Sequence, residues 1–172
     1  MAADANRLVI ERLYGALDER DGSAMAACYA PDVTFSDPVF PDLHGAQAGA
    51  MWRMLTASSD DLRIELLEHE ADDAHGTAHW RATYTFSRSG RPVVNDIHAS
   101  FRFENGLIVE HTDSFSFYRW ARQALGTSGL LLGWTPMLRS KVRTQAASGL
   151  AKFIAAGSAS TPEAAGETPA SG

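Results

Sequence analysis

Two aspartates and one histidine are the residues of this chain whose types and spacing could support chemistry. His111 and Asp113 lie two residues apart in LIVEHTDSFSF, and Asp37 precedes a proline in VTFSDPVF. Side chains two apart in a strand point to the same face. The neighbours that share these faces are apolar: Leu107, Val109, Phe115 and Phe117 beside His111 and Asp113, and Val33 and Phe35 beside Asp37.

Burial of an unpaired charge is costly, so inward ionisable groups are paired, neutral or functional. An Asp–His pair in a partly dry pocket suits general acid–base chemistry. We therefore predict Asp37, His111 and Asp113 as catalytic residues: Asp37 or Asp113 accepts a proton, and His111 orients or protonates. The alternative is structural, with Asp37 capping the proline-rich turn and His111 and Asp113 forming a satisfied pair near a strand end.

No cofactor is expected, since no glycine-rich phosphate loop follows a strand, and no metal site, since HExxH and CxxC motifs are absent. The single cysteine, Cys28, cannot form an intramolecular disulfide and is predicted to be a small buried residue.

Aromatic residues are the predicted lining of a pocket of a few hundred Å³, the usual scale of small-molecule sites. On the strand at 77–87, Trp80 and Tyr84 share a face opposite His79 and Arg81. Such a stripe is also typical of a plain core. The full predicted set of pocket residues is Tyr14, Phe35, Trp52, Trp80, Tyr84, Phe101 and Phe115.

The elements that must position these side chains follow from periodicity and turn signals. Helices are predicted at 6–19, 23–30 with Ser23 as N-cap, and 46–57; strands are predicted at 33–37, 62–70, 77–87, 93–103 and 107–118. Asn105-Gly106 is a strong hairpin signal, because both residues tolerate positive φ. The last four strands therefore form a meander in an α+β fold.

The C-terminal part is expected to be helical at 119–126 and 137–156, with a glycine-punctuated apolar connector at 127–136. We predict one domain at 1–120, a C-terminal helical extension at 121–156 and a disordered tail at 157–172. The basic residues of the last helix, Arg139, Lys141, Arg143 and Lys152, are interpreted as a solvated face. The alternative for this helix is binding to a membrane surface or a partner.

Fifteen Lys+Arg against 21 Asp+Glu give a formal net charge of −6. This sign gives no attraction to phosphate backbones or anionic lipid, so neither nucleic acid nor a membrane is an expected partner. The N-terminus lacks the apolar stretch of a signal peptide, and no apolar run is long enough for a membrane span. The expected compartment is the cytoplasm.

Two motifs resemble a known superfamily. CYAPDVTFSDPV resembles the helix-to-strand passage of ketosteroid isomerases in the nuclear-transport-factor-2-like (NTF2-like) superfamily, which implies Asp37 as the catalytic base. FRFENGLIVEHTDSFSF is similar to the final hairpin of the SnoaL-like polyketide cyclases and limonene epoxide hydrolases, which implies a functional Asp113. The resemblance covers roughly residues 6–120. It implies a curved, mostly antiparallel sheet wrapped around N-terminal helices, enclosing an apolar pocket.

The chain departs from these relatives at their other functional positions. The isomerase tyrosine falls on Leu13, with Tyr14 one residue away, and a second oxyanion donor falls near Ala99. The Arg-x-Asp of the epoxide hydrolases is matched only by Arg81-Ala82-Thr83, which lacks the carboxylate.

The resulting hypothesis is a cofactor-independent acid–base enzyme, isomerase- or cyclase-like, acting on a small apolar molecule with a carbonyl or epoxide. The alternatives are a non-catalytic hydrophobic-ligand-binding or dimerisation module, since a fold alone implies no reaction, and an epoxide hydrolase. A homodimer is expected. Its contact would be the outer sheet face, where Val94 lies among Asp96, His98 and Ser100.

Overall fold

The computed structural model describes residues 1–159. Its elements in chain order are α1 (Ala2–Asp18), α2 (Gly22–Ala26), β1 (Tyr29–Ser36), β2 (Leu43–His44), α3 (Ala46–Ala57), β3 (Arg63–Ala71), β4 (His75–Phe86), β5 (Arg91–Glu104), β6 (Leu107–Ser114), α4 (Phe117–Leu125), α5 (Thr127–Leu132) and α6 (Pro136–Ala159). The expected disordered tail at 157–172 lies outside the described residues, apart from its first three residues, which continue α6.

Helix α1 packs against β3 and β4, and helix α2 packs against α1 and α3. The apolar stripe of α1 includes Ile10, Leu13 and Leu17, all buried. Helix α2 ends at Ala26, four residues before the end of the predicted 23–30, and Asp21 and not Ser23 caps its start, accepting from the backbone N–H groups of Ser23 and Ala24. The chain therefore leaves the helix early enough for β1 to begin at Tyr29.

The sheet has six strands in the order β2-β1-β6-β5-β4-β3. Strands β3 to β6 are consecutive antiparallel neighbours, which confirms the predicted meander. The turn after β5 places Asn105 and Gly106 at φ 53° and 75°, the positive values that the hairpin signal requires. Strand β1 joins the sheet by parallel pairing with β6. The predicted α+β fold with a mostly antiparallel sheet is confirmed.

The predicted strand at 107–118 is too long. Strand β6 ends at Ser114, and Ser116 caps α4 by accepting from Arg119 N at 3.3 Å. Phe117 is therefore the first residue of a helix and not the last inward residue of a strand. The expected connector at 127–136 also contains a helix, α5.

Apolar packing falls into two clusters that meet at the inner face of the sheet. The main cluster joins α1, α3 and the strands, and includes the buried free thiol of Cys28. The smaller cluster is built from Val93 of β5 and from Phe117, Trp120, Ala121 and Ala124 of α4. Helix α6 contributes Leu150 to the main cluster, so the C-terminal extension packs onto the domain. Among residues 1–159 there is no helix with the length and apolarity needed to span a membrane.

Candidate active site

A cavity of about 720 Å³ lies between the inner face of the sheet, α3, α4 and α6. Four of the predicted pocket residues line it: Trp52, Trp80, Tyr84 and Phe115. Asp37 and Asp113 line the same cavity. Its remaining wall includes Trp120 of α4 and Leu138, Val142 and Ala146 of α6. The C-terminal extension therefore closes one side of the candidate site, which the sequence did not indicate.

Three of the predicted pocket residues, Tyr14, Phe35 and Phe101, do not line this cavity. Phe35 and Phe101 instead pack around His111, with ring centroids 5.0 and 4.5 Å from the imidazole. The reason is depth along the strands: Phe101 is paired with His111, whereas Asp113, two residues further along, is paired with Ala99. Alternation gives the face of a side chain, but not how deep it lies.

The two aspartates occupy neighbouring positions, with Asp37 directly after β1 and Asp113 in the adjacent parallel strand β6. Ser36 of β1 is paired with Thr112 of β6, and each aspartate follows its residue of that pair by one position. Paired strands lie about 4.8 Å apart. Asp37 and Asp113 therefore reach the cavity side by side.

Asp37 is half-buried and has the structural role that the sequence analysis weighed for it. Its Oδ1 accepts hydrogen bonds from the backbone N–H groups of Val39 at 2.6 Å and Phe40 at 2.5 Å, so it does cap the proline-rich turn. Burial raises the pKa of Asp37 to about 7, although these N–H groups oppose the rise, and the charge of Asp113 adds to it. The carboxyl can thus exchange a proton near neutral pH. In residues 1–159 every hydrogen bond that it accepts goes to Oδ1, which leaves Oδ2 for a bound molecule.

Asp113 is hydrogen-bonded to His111, which lies on the side of the carboxylate away from the cavity. The Nε2 atom of His111 lies 3.1 Å from Asp113 Oδ1, and Trp80 Nε1 lies 3.4 Å from the same oxygen. His111 itself has no exposed surface, so it supports Asp113 without lining the cavity. Asp113 Oδ2 has no hydrogen-bond partner within the described part of the chain.

A chain of hydrogen bonds fixes the tautomer of His111. Trp52 Nε1 can only donate, and it donates to the hydroxyl oxygen of Tyr29 at 2.8 Å. The Tyr29 hydroxyl lies 2.8 Å from His111 Nδ1. Because its oxygen already accepts from Trp52, the hydroxyl donates its own proton to His111 Nδ1. Neutral His111 then carries its proton on Nε2 and donates it to Asp113. The arrangement is a continuous polar path from Trp52 to the cavity carboxylate.

Tyr29 is the member of this path that the sequence analysis missed. Tyr29 falls within the predicted helix 23–30, but in the structure it begins β1, the strand next to that of His111. Trp52 was predicted only as a pocket residue, and its indole N–H gives it a second role. An inward Tyr and Trp near a buried His are the signal that could have indicated the path.

The donors of the resembling families are placed differently here. The Tyr14 hydroxyl is buried and has no hydrogen-bond partner among residues 1–159, and burial, with the charge of Asp113, raises its pKa well above the usual value. Its ring packs 5.0 Å from that of Trp80, outside the cavity. Arg81 faces the other side of the sheet, where it pairs with Asp96 at 3.0 Å and Glu65 at 3.3 Å. No cluster of three or more His, Cys, Asp or Glu side chains suited to a metal ion occurs in the described ranges.

Comparisons with known structures show that the fold is shared. A crystal structure of a hypothetical protein with a ketosteroid isomerase-like fold, from Catenulispora acidiphila in complex with trimethylamine, is 17% identical, with a TM-score of 0.62 over 74% of this chain and 97% of that one. An LEH-like epoxide hydrolase from M. tuberculosis is 16% identical, with a TM-score of 0.62 over 80% and 98%. A putative polyketide cyclase from Silicibacter sp. TM1040 is 16% identical, with a TM-score of 0.63 over 72% and 97%.

At such low sequence identity, these structural matches establish a shared fold and not a shared reaction. A sequence search of curated proteins finds no match. The model of the SnoaL-like domain family matches residues 10–111, more than half of the chain. That range contains β1, α3 and most of the sheet, and it ends at His111. The chain therefore belongs to the SnoaL-like domain family, with the NTF2-like fold of its structural neighbours.

Proposed function

We propose that this protein is a cofactor-independent acid–base enzyme that moves a proton within a small, largely apolar carbonyl compound held in the cavity. The observation that carries the proposal is the pair of neighbouring carboxyls on one apolar cavity wall, one of them backed by a buried imidazole. Paired carboxyls in different environments are a common way to supply an acid and a base at one pH.

The two carboxyls have different roles in this proposal. Asp113 receives N–H groups from His111 and Trp80, an environment that suits a carboxylate, so it serves as the base. It accepts a proton from the carbon next to the substrate carbonyl. Asp37, whose pKa is raised to about 7 by burial, donates its proton to the carbonyl oxygen as charge develops there. In an isomerisation, Asp113 then returns its proton to a different carbon while the enol O–H returns its proton to Asp37. In a ring closure, the enol carbon attacks a second carbonyl carbon of the substrate, whose oxygen takes the proton held by Asp113, and the enol O–H returns its proton to Asp37.

A carbonyl substrate is better supported than an epoxide. The resembling hydrolases pair their last-strand aspartate with an Arg-x-Asp of an earlier strand; here the matching Arg81 lies on the opposite sheet face, and Thr83 stands in place of the second carboxylate. An epoxide hydrolase therefore stays the weaker alternative.

A non-catalytic binding protein is the second candidate, and one observation favours it. Asp37 caps a turn, and His111 and Asp113 satisfy each other, so each polar group has a structural role that requires no substrate. In this reading the cavity holds a small apolar molecule without changing it.

The experiment compares Asp113→Asn and Asp37→Asn with the parent in ligand affinity, turnover and thermal stability. Turnover is screened with small enones, cyclisable ketones and epoxides. We expect turnover by the parent and a loss on the order of 10²–10⁴-fold in each variant, with ligand affinity retained, because an amide keeps the shape but not the basicity. Asp32→Asn, an exposed change on the same strand β1, is the matched control.

Equal turnover in the parent and both variants would overturn the assignment of these residues. Ligand binding without turnover on any substrate class, together with destabilised variants, would favour the binding protein.

We further propose a homodimer formed through the outer face of β4 and β5. Val94 is 42% exposed there, next to the charges of Arg81 and Asp96, so a two-fold pairing can match both apolar and opposite-charge groups. Light scattering at micromolar concentration should give twice the mass of the chain for the parent and a single chain mass for Val94→Asp.

A further inference from the structure

Five large apolar side chains are exposed within eight consecutive residues where α5 meets α6. They are Leu130, Leu131, Leu132, Trp134 and Met137, and we call them the corner patch. Trp134 and Met137 keep 74% and 72% of their surface exposed. Elsewhere in residues 1–159, large exposed apolar side chains occur singly, as on most protein surfaces. A concentrated patch of this kind marks a surface for interaction.

Three hydrogen-bond donors of the corner are satisfied within the chain. Trp134 Nε1 donates to the carbonyl oxygen of Leu131 at 3.1 Å, and Thr135 Oγ1 donates to that of Leu132 at 2.7 Å. Gly133 N donates to Gly129 O. The corner can therefore enter an apolar phase without exposing these donors to it, which would otherwise be costly.

The part of the chain that contains this patch is basic, although the whole chain is acidic. Residues 115–159 contain six cations and no acidic residue, although the whole chain has a net charge of −6. The cations are Arg119, Arg122, Arg139, Lys141, Arg143 and Lys152. None of the six forms an ion pair with a carboxylate in the described part of the chain, where the arginine ion pairs belong to Arg20, Arg81 and Arg102. The net charge of the whole chain therefore hides a basic extension.

Two of these cations flank the patch. Lys141 lies four residues after Met137 on α6, so the two share a helix face. On α4, Arg122 lies four residues after Tyr118, whose hydroxyl donates to the carbonyl oxygen of Leu130 at 3.5 Å. Unpaired basic side chains thus lie on both sides of an exposed Leu/Trp/Met cluster.

We propose that the corner patch docks onto the surface of an anionic lipid membrane. Leu and Trp side chains flanked by Lys and Arg are the composition of segments that lie in the lipid interface, where the apolar groups insert and the cations meet anionic headgroups. A second copy of the chain fits less well, because two-fold pairing of the same patch would bring its unpaired cations face to face.

The corner patch lies next to residues that line the cavity. Ser128 of α5 and Leu138 and Lys141 of α6 line the cavity and adjoin the patch in sequence. Docking therefore places one wall of the cavity close to the lipid surface. Membrane binding itself does not depend on whether the cavity is catalytic.

The test is co-sedimentation of the full chain with vesicles of phosphatidylcholine alone, or with one third phosphatidylserine. We expect binding to the mixed vesicles to be about tenfold tighter or more, and to weaken as salt is added. Leu131→Ser combined with Trp134→Ser should reduce binding about tenfold or more. Leu67→Ser, at an exposed apolar residue of β3, should leave it unchanged. Arg122→Gln with Lys141→Gln should remove the preference for phosphatidylserine.

Several results would overturn the proposal. One is failure of the parent chain to sediment with the mixed vesicles; another is equal binding to both vesicle types. Loss of binding in Leu67→Ser equal to that in the corner variant would do the same. If light scattering shows that the corner variant lowers the mass of the particle, the patch is a protein contact and the lipid proposal fails. The exposed Arg122/Lys141 variant keeps the test decisive if the corner variant does not fold.

Discussion

Arg143 Nε donates a hydrogen bond to the carbonyl oxygen of Pro38 at 2.9 Å, which joins the last helix to the turn that holds Asp37. The two residues are 105 positions apart in sequence. Burial raises the pKa of Asp37 to about 7, and the nearby charge of Arg143 opposes the rise. The C-terminal extension therefore influences the ionisation of a carboxyl in the candidate site.

Replacing Arg143 by Gln should raise the pKa of Asp37 above its value in the parent, because the change removes a cation and keeps a donor toward Pro38. Asp37 would then hold its proton to higher pH. Infrared titration of the carboxyl, with Asp37→Asn used to assign its band, measures the change directly. Lys152→Gln, an exposed change on the same helix, is the control and should have no effect. A lowered or unchanged pKa in Arg143→Gln contradicts this role of the extension.

Asp37 should also make the stability of the protein depend on pH. Its pKa is about 7 in the folded chain, against an ordinary value of 3.8. Between pH 4 and pH 7 the folded state binds more protons than the unfolded state, so the free energy of unfolding falls as pH rises through this window.

Asp37→Asn removes this titration and keeps the oxygen that caps the turn. Relative to the parent, the variant should gain on the order of 2 kcal/mol between pH 4 and pH 8, which is less than the full shift because Asp37 is only half-buried. Denaturant unfolding at both pH values measures the gain, and Asp32→Asn is the control. A constant difference between variant and parent across this range would exclude a raised pKa for Asp37.

Tyr29→Phe should destabilise the folded chain, because it leaves both Trp52 Nε1 and His111 Nδ1 without their partner. The expected loss is about 1–3 kcal/mol, the cost of leaving a buried polar group unpaired. Tyr118→Phe is the matched control, since Tyr118 is 37% exposed and its hydroxyl makes a contact of 3.5 Å. Urea unfolding of the two variants should separate them clearly, and equal stability would show that the path through Tyr29 is dispensable.

Gly129→Ala should loosen the packing of α5 on α4. A Cβ at this position would lie 1.9 Å from the carbonyl oxygen of Ala121, a backbone atom that cannot move aside alone. We expect a loss of about 1–3 kcal/mol, as for other overpacked sites. Gly149→Ala lies in α6 with nothing within 4 Å, so it should be neutral or stabilise by up to about 1 kcal/mol. Equal melting temperatures for the two variants would contradict the close contact of these helices.

The sheet was predictable because its signals are local. Helix α3 has the predicted bounds 46–57, and the Asn105-Gly106 turn fixes the pairing of β5 with β6. The end of β6 was not predictable from alternation, since the residues after Ser114 continue the period of a strand. Ser116 ends that pattern by capping a helix, and one serine hydroxyl gives only a weak signal in the sequence.

The sequence predicts which face of the sheet carries the candidate site, but not which side chains line the cavity. Alternation placed His111 and Asp113 on one side, and the Asp-Pro motif marked Asp37 near the end of β1. Alternation carries no information on depth, so His111 was expected in the cavity and lies behind it. The wall from α6 depends on contacts with residues more than 100 positions away, which no local pattern encodes.

The four tryptophans of the chain divide between two surfaces. Trp52, Trp80 and Trp120 line the cavity, and Trp134 stands exposed in the corner patch. Intrinsic fluorescence therefore reports on both surfaces without a label. With tryptophan excited selectively in the parent, the emission of the buried cavity tryptophans should be quenched or shifted when a ligand fills the cavity. The red-shifted emission of Trp134 should move to shorter wavelength when lipid covers the corner. Replacing Trp134 by Phe leaves only the cavity signal, so the difference between the parent and this variant isolates the signal of the corner.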